Sequence, residues 1–111
     1  MEVELKECQI QSQCVQWFRY TYPEYIIFST NNEACFRRIT YFNSLGLLNG
    51  VSDLIILLPQ GKTLFIEMKN KKGRQREEQK SFQEKVEGLG FHYFICRSLE
   101  QFQEIINNNI I

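Results

Sequence analysis

Apolar positions recur along the 111 residues with two periods, and the switches between them mark out elements. In residues 3–23, Ile10, Cys14, Trp17 and Phe18 fall at i, i+4, i+7 and i+8, the spacing of one buried helical face. Pro23 ends that helix, because a proline drives the residue before it out of helical geometry. Residues 24–30 are rich in β-branched and aromatic side chains and read as a strand. Residues 31–50 follow neither period and read as an irregular connector with room for a short helical turn, closing on Gly46 and Gly50. Next come two apolar runs, 53–58 and 62–69, separated by Pro59-Gln60-Gly61. Three-residue hairpin loops place a left-handed Gly last, so this is a strand–turn–strand unit. Both runs are apolar on both faces, which calls for a sheet covered on each side. Helical spacing returns over 74–90, with Phe82 and Val86 as an i, i+4 pair and Gly88 and Gly90 as stop signals. Residues 91–97 form another strand, and 98–108 a last helix with Ser98 as N-cap. The order α-β-β-β-α-β-α predicts an α/β layer fold with a mixed sheet, since a tight hairpin is antiparallel.

A chain of this length holds one core, so residues 1–111 form a single domain. Thirteen basic and thirteen acidic side chains cancel, so no global field draws the protein to nucleic acid or an anionic membrane. The balance conceals a local patch: Lys69, Lys71, Lys72, Arg74 and Arg76 lie within eight positions that contain no acid. Cys8, Cys14, Cys35 and Cys96 include no C-x-x-C pair, and His92 is the single histidine, which argues against a zinc site. Buried reduced thiols and the absence of a basic-then-apolar leader pattern point to the cytoplasm. No apolar run approaches the ~20 residues that span a bilayer, so no membrane association is expected.

Candidate chemistry sits where the second apolar run meets the basic patch. Strand alternation puts Glu67 and Lys69 on one face and Met68 on the other. A loop of Pro59-Gln60-Gly61 sets residue 53 opposite residue 67, which makes Asp53 and Glu67 cross-strand neighbours with Cβ atoms roughly 4.5–5.5 Å apart. Two carboxylates at that range repel unless a cation neutralises them. Mg²⁺ takes one or two protein carboxylates and completes its octahedron with water and phosphate oxygen. Lys69, one pleat further on, is placed to orient or deprotonate a water, or to steady charge on a phosphate. The basic run beyond it suits a polyanion backbone. A solvated strand end accounts equally well for Lys69 and Lys71, but less well for opposed carboxylates. The Glu-x-Lys triplet alone is weak, since chance supplies one in roughly one such chain in three. Glu4-Leu5-Lys6 repeats the spacing in the expected first helix, where the two side chains would not meet.

Residues 50–106 resemble the virus-type replication–repair nuclease (VRR-NUC) domain of the PD-(D/E)XK nuclease superfamily. The resemblance runs in order through Gly50, Asp53, Gly61, Glu67-Met68-Lys69, Gly73-Arg74, Glu78-Gln79, Phe82, Gly90 and Arg97-Ser98. Upstream, Glu7 and Gln11 stand at the Glu and Gln positions of the family's first helix, and residues 29–33 resemble its polar Asn-containing segment. The resemblance implies a restriction-endonuclease-like α/β/α fold around a mixed sheet. It also implies Mg²⁺- or Mn²⁺-dependent endonuclease activity on DNA, of the kind used in DNA repair. By the same resemblance Asp53 and Glu67 are metal ligands, the Met68 carbonyl is a backbone ligand, and Lys69 is the catalytic lysine. Glu7 reaches the metal through water, and Gln79 joins the site from the helix after the basic loop. Phosphate contacts are expected from Lys71, Lys72, Arg74 and Arg76, with Arg37 and Arg38 as weaker candidates. Such contacts carry no sequence information, so cleavage should select DNA structure. Free-standing relatives resemble Holliday-junction resolvases, and symmetric cleavage of branched DNA calls for a C2 homodimer. The aromatics of residues 17–25 offer either a dimer patch or core. One departure stands out: Ser52 replaces the usual proline before the Asp. A non-catalytic nucleic-acid-binding or interaction module on the same fold is the alternative.

Overall fold

Four strands lie side by side in chain order, β1 (Ile26–Ser29), β2 (Leu54–Leu57), β3 (Thr63–Met68) and β4 (His92–Cys96). The computed structural model describes residues 4–30, 46 and 48–110, and its helices are α1 (Glu7–Thr21), α2 (Glu77–Gly88) and α3 (Leu99–Asn109). Most of the connector, including residues 31–33, Cys35, Arg37 and Arg38, lies outside the described residues. β1–β2 and β2–β3 are antiparallel, whereas β3–β4 is parallel and is bridged by α2. The expected α/β/α layering around a mixed sheet is the observed one.

The hairpin has the expected register. Leu54 pairs with Ile66 and Leu57 with Thr63, and the Leu58 N–H donates to the Lys62 carbonyl at 2.8 Å. The three-residue turn differs from expectation at one position: Gly61 is left-handed as expected (φ 75°), but so is Gln60 (φ 64°). A side chain is disfavoured at that φ, so Gln60 carries local strain.

The sheet has two unlike faces. On one, Ile27, Leu54, Ile56, Leu64, Ile66, Met68 and Cys96 pack beneath α1 and α3. Ile10, Cys14 and Phe18 supply the α1 stripe, and Phe102, Ile105 and Ile106 that of α3. Trp17 joins the seam, edge-on to Phe102 at 6.0 Å and to Tyr22 at 5.9 Å. Cys14 and Cys96 are fully buried and their thiols touch. That contact, then burial, holds the Cys14 thiol far above the usual thiol range, so it stays protonated. On the other face, Phe82 and Val86 of α2 cover Tyr93, Phe65 and Ile95. Phe65 meets Phe82 edge-on at 5.6 Å. Of the aromatics in residues 17–25, Phe18 is core and Trp17, Tyr22 and Tyr25 pack against it, while Tyr20 is 90% exposed.

Two helices start later than the sequence predicts. Lys6 is the extended N-cap of α1, and its N–H donates to Gln9 Oε1 at 2.8 Å. Glu4-Leu5-Lys6 therefore precedes the helix. Arg76 is the N-cap of α2, so Arg74, Gln75 and Arg76 belong to the loop before it. Among the described residues no helix is long and apolar enough to cross a membrane.

Candidate metal and phosphate site

The hairpin register brings the acids together. One step beyond the Leu54–Ile66 pair, Asp53 stands opposite Glu67, on the face covered by α2. The carboxyl groups are in side-chain contact. The second oxygen of Asp53 accepts the Met68 N–H at 2.7 Å, which continues the strand pairing through a side chain and fixes the carboxyl.

Glu67 is 1% exposed, Gln79 5% and Lys69 7%, an uncommon burial for such side chains. Glu67 Oε2 accepts from Gln79 Nε2 at 2.7 Å and lies 3.9 Å from Lys69 Nζ. Glu67 Oε1 is buried and has no hydrogen-bond donor among the described residues. An ionised oxygen left so is costly, and a cation or a proton must offset it. Burial, and then the Asp53 charge, push the Glu67 carboxyl from an ordinary 4.5 up to about 8, against the lowering effect of Lys69. Burial also pushes Asp53 up, opposed by its bond from the Met68 N–H. A divalent cation between the two carboxylates would supply the missing partner, so the residues present fit one. Among the described residues, no group of three or more His, Cys, Asp or Glu side chains is gathered tightly enough to hold a metal ion. The two carboxylates could serve as direct donors, within the one or two that Mg²⁺ takes.

Gln79 is oriented by the start of its helix. As the N3 residue of α2, its Oε1 accepts the Arg76 N–H at 2.8 Å. With the carbonyl end engaged, the amide nitrogen must face Glu67. Gly50 makes this approach possible: a Cβ there would collide with the Glu78 carbonyl and come within 3.0 Å of the Gln79 nitrogen. Its φ of 83° also suits glycine.

Glu7, the first residue of α1, is half-buried. Its carboxylate lies above the turn after β3, where a Cβ on Gly73 would meet Glu7 Oε1 and Asn70 Oδ1 at 3.1 Å and Lys69 Cδ at 3.3 Å. Its charge reaches Asp53 and Glu67, and raises both. Lys71, Lys72 and Arg74 are exposed around this turn. Arg76 is partly engaged, its guanidinium 3.3 Å from Glu78.

Sequence reasoning left two residues near the site without a role. Thr30 donates its hydroxyl to the Ser52 carbonyl at 2.7 Å, and its N–H to the Asp53 carbonyl at 3.0 Å. Those bonds direct the chain into β2 where the family's proline is missing. Arg97 donates Nη1 to the carbonyls of Asn70 and Gly73, both at 2.8 Å. A bond to a backbone carbonyl leaves no pattern in sequence, though the Arg97-Ser98 match was a pointer.

Two solved structures share the fold. One, titled "VRR_NUC domain protein", aligns over 98% of this chain and 91% of its own with a TM-score of 0.77 at 19% identity. Another, titled "VRR_NUC domain", covers 93% of this chain and 96% of its own with a TM-score of 0.68 at 20% identity. No curated protein matches. The sequence profile of the VRR-NUC domain matches residues 1–100, nearly the whole chain. This chain therefore has a nuclease-type fold and belongs to the VRR-NUC domain family.

Proposed function

We propose that the protein is a divalent-metal-dependent nuclease that hydrolyses phosphodiester bonds in DNA. The observation that carries this is Glu67: a buried carboxylate facing Asp53, with one oxygen lacking a donor among the described residues and a buried lysine alongside. Asp53 and Glu67 would hold the ion, with the Met68 carbonyl as a backbone ligand and Glu7 acting through water. Mg²⁺ or Mn²⁺ would supply Lewis-acid polarisation of a phosphate oxygen and a more acidic water. Lys69 steadies charge on the phosphate or takes up the water's proton. Gln79 holds Glu67 in place through the bond that its own helix start aims. Lys71, Lys72, Arg74 and Arg76 grip the phosphate backbone without reading bases, which favours structure-selective cleavage. One site cuts one strand, so resolving a branched junction symmetrically requires a homodimer.

The test is cleavage of linear, flapped and four-way DNA with Mg²⁺ or Mn²⁺, by wild type, Lys69→Ala and Glu67→Ala. Wild type should cut, and each variant should lose roughly 10²-fold or more. Cutting no better than the variants sinks the enzyme reading. Salt-sensitive DNA binding that survives EDTA and both substitutions, without cleavage, would make the domain a binding module instead.

A further inference from the structure

The turn that carries the exposed lysines is fastened from below by Arg97, the residue that follows β4. Asn70 opens it: its Oδ1 accepts the Lys72 N–H at 3.1 Å, and its carbonyl accepts the Gly73 N–H at 3.3 Å. Those local bonds shape the turn but do not anchor it to the domain. Arg97 does. The parallel pairing of β3 with β4 runs through Met68 and Cys96 and continues as the Lys69 N–H donates to the Cys96 carbonyl at 3.0 Å. Arg97 is therefore the strand neighbour of Lys69, one step past the last pair. Its Nη1 spans the two ends of the turn, at the Asn70 and Gly73 carbonyls. Its own backbone is held as its N–H donates to Gln101 Oε1 at 2.7 Å, in the first turn of α3. On its other side the turn abuts the Lys69 stem and Glu7 across Gly73.

We propose that Arg97 is a positioning residue for DNA binding: it locks the Asn70–Gly73 turn so that Lys71 and Lys72 meet the phosphate backbone from a fixed place. The proposal rests on the nuclease reading for its substrate, but the clamp itself can be measured without DNA. Lysine at 97 would keep the charge, but its Nζ ends one atom short of the Nη1 that meets both carbonyls, on a stem with no planar group to fix its direction. This separates a clamp from a simple phosphate contact, which Arg97→Lys would preserve.

The experiment compares wild type, Arg97→Lys and Arg97→Gln, each also in a Lys71→Ala/Lys72→Ala background. Trypsin cleavage after Lys71 and Lys72, followed by mass spectrometry, should speed up several-fold in both single variants while Tm stays close to wild type. KM for DNA cleavage should rise roughly 10-fold in both, with kcat changed by less than about threefold, because phosphate contacts position substrate. The salt dependence of binding should flatten by about 0.7–0.9 per lysine released from its contact. In the doubly substituted background, changing Arg97 should have no further effect on KM. Wild-type affinity in Arg97→Lys, an unchanged trypsin rate, or an additive KM loss without the lysines would each overturn the proposal. If wild type neither binds nor cuts DNA, the nuclease reading fails and takes the clamp's purpose with it, while the trypsin rates still show separately whether Arg97 holds the turn.

Discussion

The two faces of the sheet come from the same strands, yet they differ in what they enclose. Under α1 and α3 the strands present Leu54, Ile56, Leu64, Ile66 and Met68, all apolar and buried. Under α2 the same strands begin alike, with Phe65 against Phe82 and Tyr93, and then change to Asp53, Glu67 and Lys69. Close packing stabilises the first face. The second encloses like charges at the end of an aromatic cluster, where they cost stability in the absence of a cation. In the proposed function, the apolar packing and the chemistry lie on opposite sides of β3.

The largest expected effect is on the apolar face. Phe102→Ala removes a fully buried ring that Trp17 and Phe18 touch, and should cost about 3–5 kcal/mol in denaturant unfolding. The folded fraction of that variant should keep its carboxylate pair and its metal response. Gly50→Ala strikes the other face: it forces α2 away at the first turn and strains a left-handed position. It should cost about 2 kcal/mol or more and lower cleavage by roughly 10–100-fold through the lost Gln79–Glu67 bond.

Next comes pH. Because the folded Glu67 carboxyl is raised from 4.5 to about 8, the folded state holds its proton more tightly than the unfolded chain. Metal-free stability should therefore fall as pH rises from about 4.5 through about 8, then level off. Glu67→Gln should shrink that fall, leaving the part due to Asp53, and raise Tm at pH 8.5, while cleavage is lost. A divalent cation should raise wild-type Tm more at pH 8.5 than at pH 5.5. Differential scanning fluorimetry across pH, with and without Mn²⁺, reads all three outcomes. The smallest effect lies at the hairpin, away from both faces. Gln60→Gly should relieve the left-handed strain and raise stability by about 0.5–1 kcal/mol, with no change in cleavage.

How much of this was legible in the sequence follows the same division. Local periods suffice for the apolar face, since a helix stripe such as Ile10, Cys14 and Phe18 is written at fixed spacing. The Asp53–Glu67 pairing was also legible, because a three-residue loop sets hairpin register and register sets neighbours. Gln79 and Glu7 needed the family resemblance: each starts a helix, and what it faces depends on how that helix docks. Two helices begin later than the sequence predicts, because Lys6 and Arg76 are not the Ser, Thr, Asp or Asn that usually mark an N-cap. Thr30 and Arg97 act on backbone carbonyls from distant parts of the chain, and no spacing rule reaches them.

The account centres on Asp53 and Glu67 as the seat of a divalent cation. Calorimetric titration of Mn²⁺ into metal-free protein at pH 7 tests it most directly. The account predicts one site per chain, binding accompanied by proton release from the Glu67 carboxyl, and loss of both in Asp53→Asn and in Glu67→Gln. Binding that is absent from the wild type, or that persists unchanged in both variants, would contradict it.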